Sequence, residues 1–170
     1  MHSTVGNRSA GFTMVELVAV ILLLGILAAV ALPRFIEVST EARVAALEGI
    51  AGAMRTTISQ TKVQARLAGL RTVSSNPGAG QSAFIIETEL GRAELDFRNL
   101  CPESSAELGD ALDMVDYLVL NLTSDMSIDI DNRFTRVGYE LSSNTTSGCY
   151  VLYDSFGLPD CTVDVITADC

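Results

Sequence analysis

One side chain able to do chemistry lies where it is least expected. Residues 11–35 read GFTMVELVAVILLLGILAAVALPRF, and Glu16 is the only carboxylate in this apolar run. A charged group in hydrocarbon costs about 2.5–3.5 kcal/mol on insertion scales unless it finds a partner. The position of Glu16 therefore raises the question of which group offsets this cost.

Other catalytic residue types are scarce. The only histidine is His2, ahead of the apolar run, so a chain cut within that run would have no imidazole for Cys/His, Ser/His or His–metal chemistry. Neither a G-x-S-x-G motif nor a P-loop is present. We predict that the chain is not an enzyme and uses no cofactor or metal.

Four cysteines lie in the distal part of the chain, without the C-x-x-C spacing of zinc or redox sites. They are Cys101, Cys149, Cys161 and Cys170. Two disulfides formed in an oxidising compartment are expected, with buried free thiols as the alternative. Four cysteines allow three pairings, and their spacing does not choose among them.

Two groups of acidic residues could bind cations or act as paired acids. The first is Asp125, Asp129 and Asp131 with Asn132, and the second is Glu87, Glu89, Glu94 and Asp96. Alternating acids resemble a calcium loop, but Arg133 stands where such a loop needs glycine. We expect both groups to be solvated, outward-facing strand positions.

Charge is unevenly distributed along the 170 residues. Residues 1–71 carry seven basic and four acidic side chains, whereas residues 72–170 carry four and seventeen. A distal domain this acidic repels phosphate backbones, so we expect no nucleic-acid partner there. The length allows one membrane segment and one domain with a real core.

The apolar run is long enough to cross a membrane. Residues 12–32 number twenty-one, about the length that spans a ~30 Å hydrocarbon core as a helix. A secretory signal cut after Ala31, releasing a secreted domain, is one alternative. A plain single-pass anchor of a binding domain is another. The first is disfavoured because the helical pattern continues past Pro33, and the second does not explain Glu16.

Residues 11–17 (GFTMVEL), followed by an apolar run that ends in PRF at 33–35, resemble the processing signature of type IV prepilins. The resemblance implies that a prepilin peptidase cuts after Gly11 and methylates the new amino terminus on Phe12. It further implies that Glu16 pairs with Phe12 amines, which fixes the register between subunits, and that the helix melts locally between Gly25 and Pro33 during assembly.

Further residues resemble the mannose-sensitive haemagglutinin branch of the type IVa pilins. They are RFI at 34–36, EAR at 41–43, the Ala- and Gly-rich stretch 45–53, CYV at 149–151 and the closing Cys170. In that branch a carboxy-terminal disulfide joins the last strands. The analogy implies Cys149–Cys170, which leaves Cys101–Cys161.

The predicted fold is α+β, with a long helical stem packed on an antiparallel sheet. We expect a leader (1–11), an apolar assembly segment (12–34), an amphipathic half of the stem (35–71) and an acidic head (72–170). One stem face should be buried, and its positions are Leu47, Ile50, Met54, Ile58, Thr61, Ala65 and Ala68. The head should contain strands at 83–90, 94–98, 127–131, 135–141, 149–153 and 161–165, and a short helix at 103–114 that begins near Ser104 or Ser105.

The function implied is that of a structural subunit, held in the inner membrane as a precursor and then assembled with like subunits into an extracellular type IV pilus. The expected partners are other copies, the prepilin peptidase and the inner-membrane assembly machinery. Adhesion, surface attachment or motility would be properties of the filament. The alternatives are a pseudopilin of a type II secretion system and a membrane-anchored binding domain.

Overall fold

The computed structural model describes residues 12–120 and 122–170, and of residues 32–37, 79 and 80 it describes the backbone alone. The chain forms two compact units, Met1–Thr40 and Glu41–Cys170. Helix α1 (Met14–Leu67) begins in the first unit and ends in the second. The second unit combines the end of this helix with antiparallel strands, which confirms the predicted α+β class.

Helix α1 ends three residues before the predicted Leu70, in a Schellman motif. Gly69 has a φ of 82°, its N–H donates to the carbonyl of Arg66, and the N–H of Leu70 donates to that of Ala65. A positive φ costs glycine little because it has no Cβ. The glycine therefore fixes the point at which the helix stops and the chain turns back.

The second half of α1 buries one face of the helix. Leu47, Ala51 and Met54 are fully buried, and Thr61 and Ala65 continue the same face at spacings of three and four. Ile50 and Ile58 are half-buried beside it. The prediction was wrong for Ala68, which is exposed in the turn after the helix.

A small two-stranded sheet comes first in the chain after the helix. It pairs β1 (Ile85–Thr88) with β2 (Gly91–Glu94) in antiparallel register. The predicted second strand at 94–98 was wrong in position, since β2 ends where that strand should begin. Thr88 holds the turn between them, because its hydroxyl donates to the carbonyl of Gly91 and accepts from the Gly91 N–H.

A larger antiparallel sheet has the strand order β3-β4-β5-β6. Its strands are β3 (Ser127–Ile130), β4 (Phe134–Glu140), β5 (Cys149–Asp154) and β6 (Thr162–Ile166). All four predicted strands are confirmed to within one residue at every end. Strict alternation along β3 and β4 and the turn residues between them carried that prediction.

Two hydrophobic clusters attach α1 to the two sheets at different positions along the helix. The first joins the helix to the large sheet through Leu47, Ala51, Met54, Val137, Cys149, Val151 and Tyr153. The second joins it to the small sheet through Ala65, Phe84, Ile86, Ala93 and Leu95 with their neighbours. The amphipathic face of α1 stabilises the fold because its apolar area is removed from water in these clusters.

The predicted helix at 103–114 is wrong. This segment consists of turns and isolated bridges, and its backbone groups bond to other elements instead of to each other. The N–H of Leu112 donates to Arg92, and the Glu94 carboxylate accepts the N–H groups of Glu107 and Leu108 at 2.7 and 2.9 Å. A distant side chain thus satisfies donors that a helix would have used.

The same segment overturns the prediction that Glu94 and Asp96 face outward. Glu94 is 2% exposed and Asp96 is fully buried. Burial raises the pKa of Asp96 above its ordinary range, although the Arg98 backbone and guanidinium, both bonded to this carboxylate, oppose the rise. Glu87 and Glu89, by contrast, are both exposed on the hairpin.

Two disulfides close the head, Cys101–Cys161 and Cys149–Cys170. They are the pairs that the family resemblance implied. The first links the loop after the small sheet to the start of β6, and the second links the start of β5 to Cys170, beyond the end of β6.

Candidate processing and assembly segment

The first part of α1 is apolar on every side. Residues Met14–Ala31 have a mean hydropathy of 2.8, and none of this window is buried. Among the described residues it is the one helix long and apolar enough to cross a membrane. A helix that is hydrophobic all round is stable only inside lipid or among other apolar helices.

Glu16 lies in the first turn of this helix and is bonded to Thr13. The Thr13 N–H and hydroxyl both donate to Glu16 Oε2, at 2.9 and 2.8 Å, and the Glu16 N–H donates back to Thr13 Oγ1 at 3.2 Å. The Thr13 carbonyl accepts the first helical bond, from Leu17. Thr13 is therefore the N-cap and Glu16 the N3 residue of a capping box.

The capping box gives Glu16 a role that sequence reasoning missed. The pattern Thr13-x-x-Glu16 before an apolar run is its usual sequence signal, and this chain carries it. An acid near a helix N-terminus is also favoured by the helix dipole. A carboxylate at this position is thus satisfied in part by the backbone that it caps, before any second group approaches.

The predicted cleavage point lies next to this cap. Phe12 is strongly exposed and precedes the N-cap by one residue, while Gly11 lies outside the described residues. Cleavage after Gly11 would leave Phe12 as a single residue ahead of the capping box. Its new amine would then lie about one helical turn from the Glu16 carboxylate.

Gly25 and Pro33 are both inside the continuous helix α1. Among the described residues, no atom lies within 4 Å of a Cβ added at Gly25, so none of them requires a glycine there. The side chain of Pro33 is not described. Helix weakening between these two residues stays a prediction.

The calcium-like acids of the head are engaged by arginines. Arg136 bonds to Asp129 at 2.8 Å and to Asp131 at 3.2 Å, and Arg133 donates to both oxygens of Asp154. Although partial burial opposes it, the N–H groups of Phe134 and Arg133 and the Arg136 guanidinium hold the pKa of Asp131 below its usual range. These contacts make a solvated, salt-bridged strand end.

One other group of potential metal ligands occurs in the part of the chain that the structure describes. It brings Cys101, Asp160 and Cys161 together. Both sulfurs are bonded to each other in a disulfide, and Asp160 pairs with Lys62 at 2.5 Å. A disulfide sulfur is not a thiolate and a carboxylate beside an ammonium is already paired, so this group does not fit a metal.

Comparison with known proteins bears on the same segment. Residues 6–32 match the family described as the prokaryotic N-terminal methylation motif. The chain is also 38% identical over 79 residues to PilA5 of Thermus thermophilus, described as a type IV narrow pilus major component. The aligned stretch is 45% of this chain and 66% of the Thermus protein. No solved structure matches the chain significantly.

Proposed function

We propose that this chain, a type IV pilin by its N-terminal methylation motif and its similarity to a Thermus pilus component, is a structural subunit that polymerises with copies of itself into an extracellular filament. The observation that carries the proposal is the bare apolar surface of Met14–Ala31. Such a surface is covered by lipid in a precursor and by neighbouring helices in a filament.

Processing precedes assembly. A prepilin peptidase would cut after Gly11 and methylate the amine of Phe12, and the inner-membrane assembly machinery would then extract the subunit from the bilayer. A free α-amine has a pKa near 8 and is cationic at neutral pH. The cut therefore creates a positive charge near the only carboxylate of the segment.

Glu16 then has two partners at once. Thr13 donates two hydrogen bonds to Glu16 Oε2, and its hydroxyl accepts a third from the Glu16 N–H. The charge of the carboxylate remains to be balanced by the Phe12 amine of its own or of a neighbouring subunit. A buried pair adds little net stability, but loss of one partner typically costs about 3–5 kcal/mol. The pair therefore sets the axial register of neighbouring stems.

Gly25 and Pro33 would permit the stem to melt locally when it leaves the membrane. Glycine costs ~1 kcal/mol against alanine in a helix, and proline removes an amide donor and clashes one turn back. A locally extended stem lengthens the reach of each subunit along the filament.

The head faces solvent outside the cell. Its two disulfides fit an oxidising compartment, and its excess of acids gives the filament a negative surface. Adhesion, surface attachment or motility would depend on this surface.

Mass spectrometry of the protein in purified surface fibres tests the proposal. We expect a chain that begins with N-methylated Phe12, in fibres visible by electron microscopy. A chain that begins at Leu32 would indicate a secreted domain, and an intact Met1 would indicate a plain anchor. Short fibres confined to the periplasm would indicate a pseudopilin.

A further inference from the structure

Residues 101–104 form a short buried seam between the two sheets of the head. All four are buried. On the large-sheet side the seam is held by the Cys101–Cys161 disulfide, by the Tyr153 hydroxyl donating to the Pro102 carbonyl at 2.5 Å, and by a hydroxyl contact of 2.5 Å between Ser104 and Thr135. Strands β4 and β5, together with Cys161 just before β6, therefore contact three of these four residues.

On the other side, the backbone of the seam bonds to the end of β2 and the loop that follows. The Glu103 N–H donates to the Glu94 carbonyl at 3.0 Å, and the Glu103 carbonyl accepts the N–H of Met114 at 2.9 Å. The N–H of Asp96 donates to the Cys101 carbonyl at 2.8 Å. Glu103 thus joins both the end of β2 and Met114 to the seam.

The side chain of Glu103 is an acid in a buried position. The residue is 5% exposed, and its Oε2 has no hydrogen-bond partner among the described residues. An ionised carboxylate buried without a partner is strongly disfavoured, so such a group keeps its proton instead. Burial, followed by the charges of Asp96, Glu94 and Glu107, raises the pKa of Glu103 to about 8.

The charged groups around Glu103 come from every element packed on it. Glu94 and Asp96 lie at and after the end of β2, Glu107 lies on the following loop, and the charge of Arg98 opposes the effect. Arg98 is itself bonded to the Asp96 carboxylate. On the large-sheet side stands Tyr153, whose pKa is raised well above its usual value by burial and by Glu103, so it stays a neutral donor.

We propose that Glu103 is a proton-dependent latch of the head: its uncharged carboxyl is enclosed when the seam is closed, and opening of segment 95–114 releases that proton to solvent. The latch belongs to the head alone and does not depend on whether the chain polymerises. An exposed Glu titrates near 4.5. Between that pH and about 8 the closed form keeps the proton and the open form does not, so opening becomes more favourable as pH rises and levels off above about 8.

Native-state hydrogen exchange of segment 95–114 in the full-length protein, with correction for the intrinsic exchange rate, tests the latch. Between about pH 5 and pH 8 the opening constant of the wild type should rise by up to tenfold per pH unit relative to that of Glu103→Gln. The matched control is Asp110→Asn, an exposed acid on the same loop whose charge is not among those that raise the pKa of Glu103, and it should follow the wild type. Equal pH profiles for the wild type and Glu103→Gln would overturn the proposal.

Two further measurements remain decisive if Glu103→Gln does not fold. Infrared spectroscopy of the wild type at pH 7 should show the C=O stretch of a protonated carboxyl, and this band should be lost as the pH rises through about 8. A spectrum without this band at pH 7 would overturn the proposal. Calcium chloride should leave the exchange of segment 95–114 unchanged. Protection by calcium would mean that Glu103 is an ionised cation ligand, which also contradicts the latch.

Discussion

Thr13 and Glu16 hold each other across the first turn of α1, with the Thr13 N–H 2.9 Å from Glu16 Oε2 and the Glu16 N–H 3.2 Å from Thr13 Oγ1. This relationship separates two roles of one carboxylate. Oε2 satisfies helix donors within the chain, whereas the negative charge is what a neighbouring amine would recognise. Substitutions on either side of the pair can remove one role and leave the other.

Thr13→Ala should loosen the first turn of α1 without preventing assembly. Loss of an N-cap typically costs about 1 kcal/mol, which corresponds to about a fivefold rise in opening of that turn. Hydrogen exchange of residues 14–17 in detergent measures it. Thr13→Ser keeps the hydroxyl and is the control. If Thr13→Ala abolished filaments as completely as loss of Glu16, capping would be the assembly role of the acid.

Glu16→Val should insert and be cleaved but give few filaments. The substitution leaves the Phe12 amine without its partner, and such a loss costs about 3–5 kcal/mol at a buried site. Glu16→Gln retains an oxygen that can accept from the Thr13 N–H but has no charge, so it should assemble as poorly as the valine variant. The yield of sheared surface fibres, with the mature amino terminus checked by mass spectrometry, decides. A normal yield from either variant contradicts the register role.

Gly25→Ala should reduce filament formation by strengthening the helix. The added methyl group meets no atom of the described residues within 4 Å, so the main change is about 1 kcal/mol of helix propensity. Gly52→Ala is the matched control, because Gly52 is also in α1 and also open but lies in the head half. Fibre yield and subunit rise in filaments are the measurements. Unchanged yield and rise in Gly25→Ala would show that no melting is needed there.

Gly138→Ala should destabilise the head. A Cβ there would lie 2.4 Å from the Cys149 carbonyl oxygen and 2.5 Å from the Tyr150 Cα, which are backbone atoms that cannot move aside cheaply. Overpacking of this kind costs about 1–3 kcal/mol. Thermal unfolding should show a clear drop in Tm, whereas Gly52→Ala should raise Tm slightly. Equal Tm values for Gly138→Ala and the wild type would mean that β4 and β5 can separate locally to admit the methyl group.

Local patterns predicted the elements that depend on local physics. The alternation of β3 and β4, the 3.6-residue period of α1 and the apolar length of its first part need no knowledge of distant contacts. The register of β2 and the structure of residues 103–114, by contrast, depend on contacts with distant parts of the chain. Glu94, Leu95, Asp96 and Phe97 are all buried because the chain leaves the small sheet after Glu94 and is covered by the following loop. Strict alternation predicted outward acids there and was wrong.

The candidate segment was predictable for a different reason. Its residues follow one another in the sequence, so Phe12, Glu16 and Gly25 could be placed without knowing the fold. The capping box was equally readable from Thr13-x-x-Glu16 and was overlooked because an acid in an apolar run suggests a distant partner first. No comparable sequence pattern marks Glu103, because its surroundings come from separate parts of the chain: the end of β2, Met114 and β5.

The two hydrophobic clusters along the second half of α1 have a mechanical consequence for the proposed filament. Leu47 and Met54 engage the large sheet, while Ala65 engages the small sheet about three turns further on. A tensile load applied along the helix axis would be carried in shear by both contacts, instead of peeling one of them first. The disulfide through Cys101 would then keep the two load-bearing halves of the head from sliding past each other.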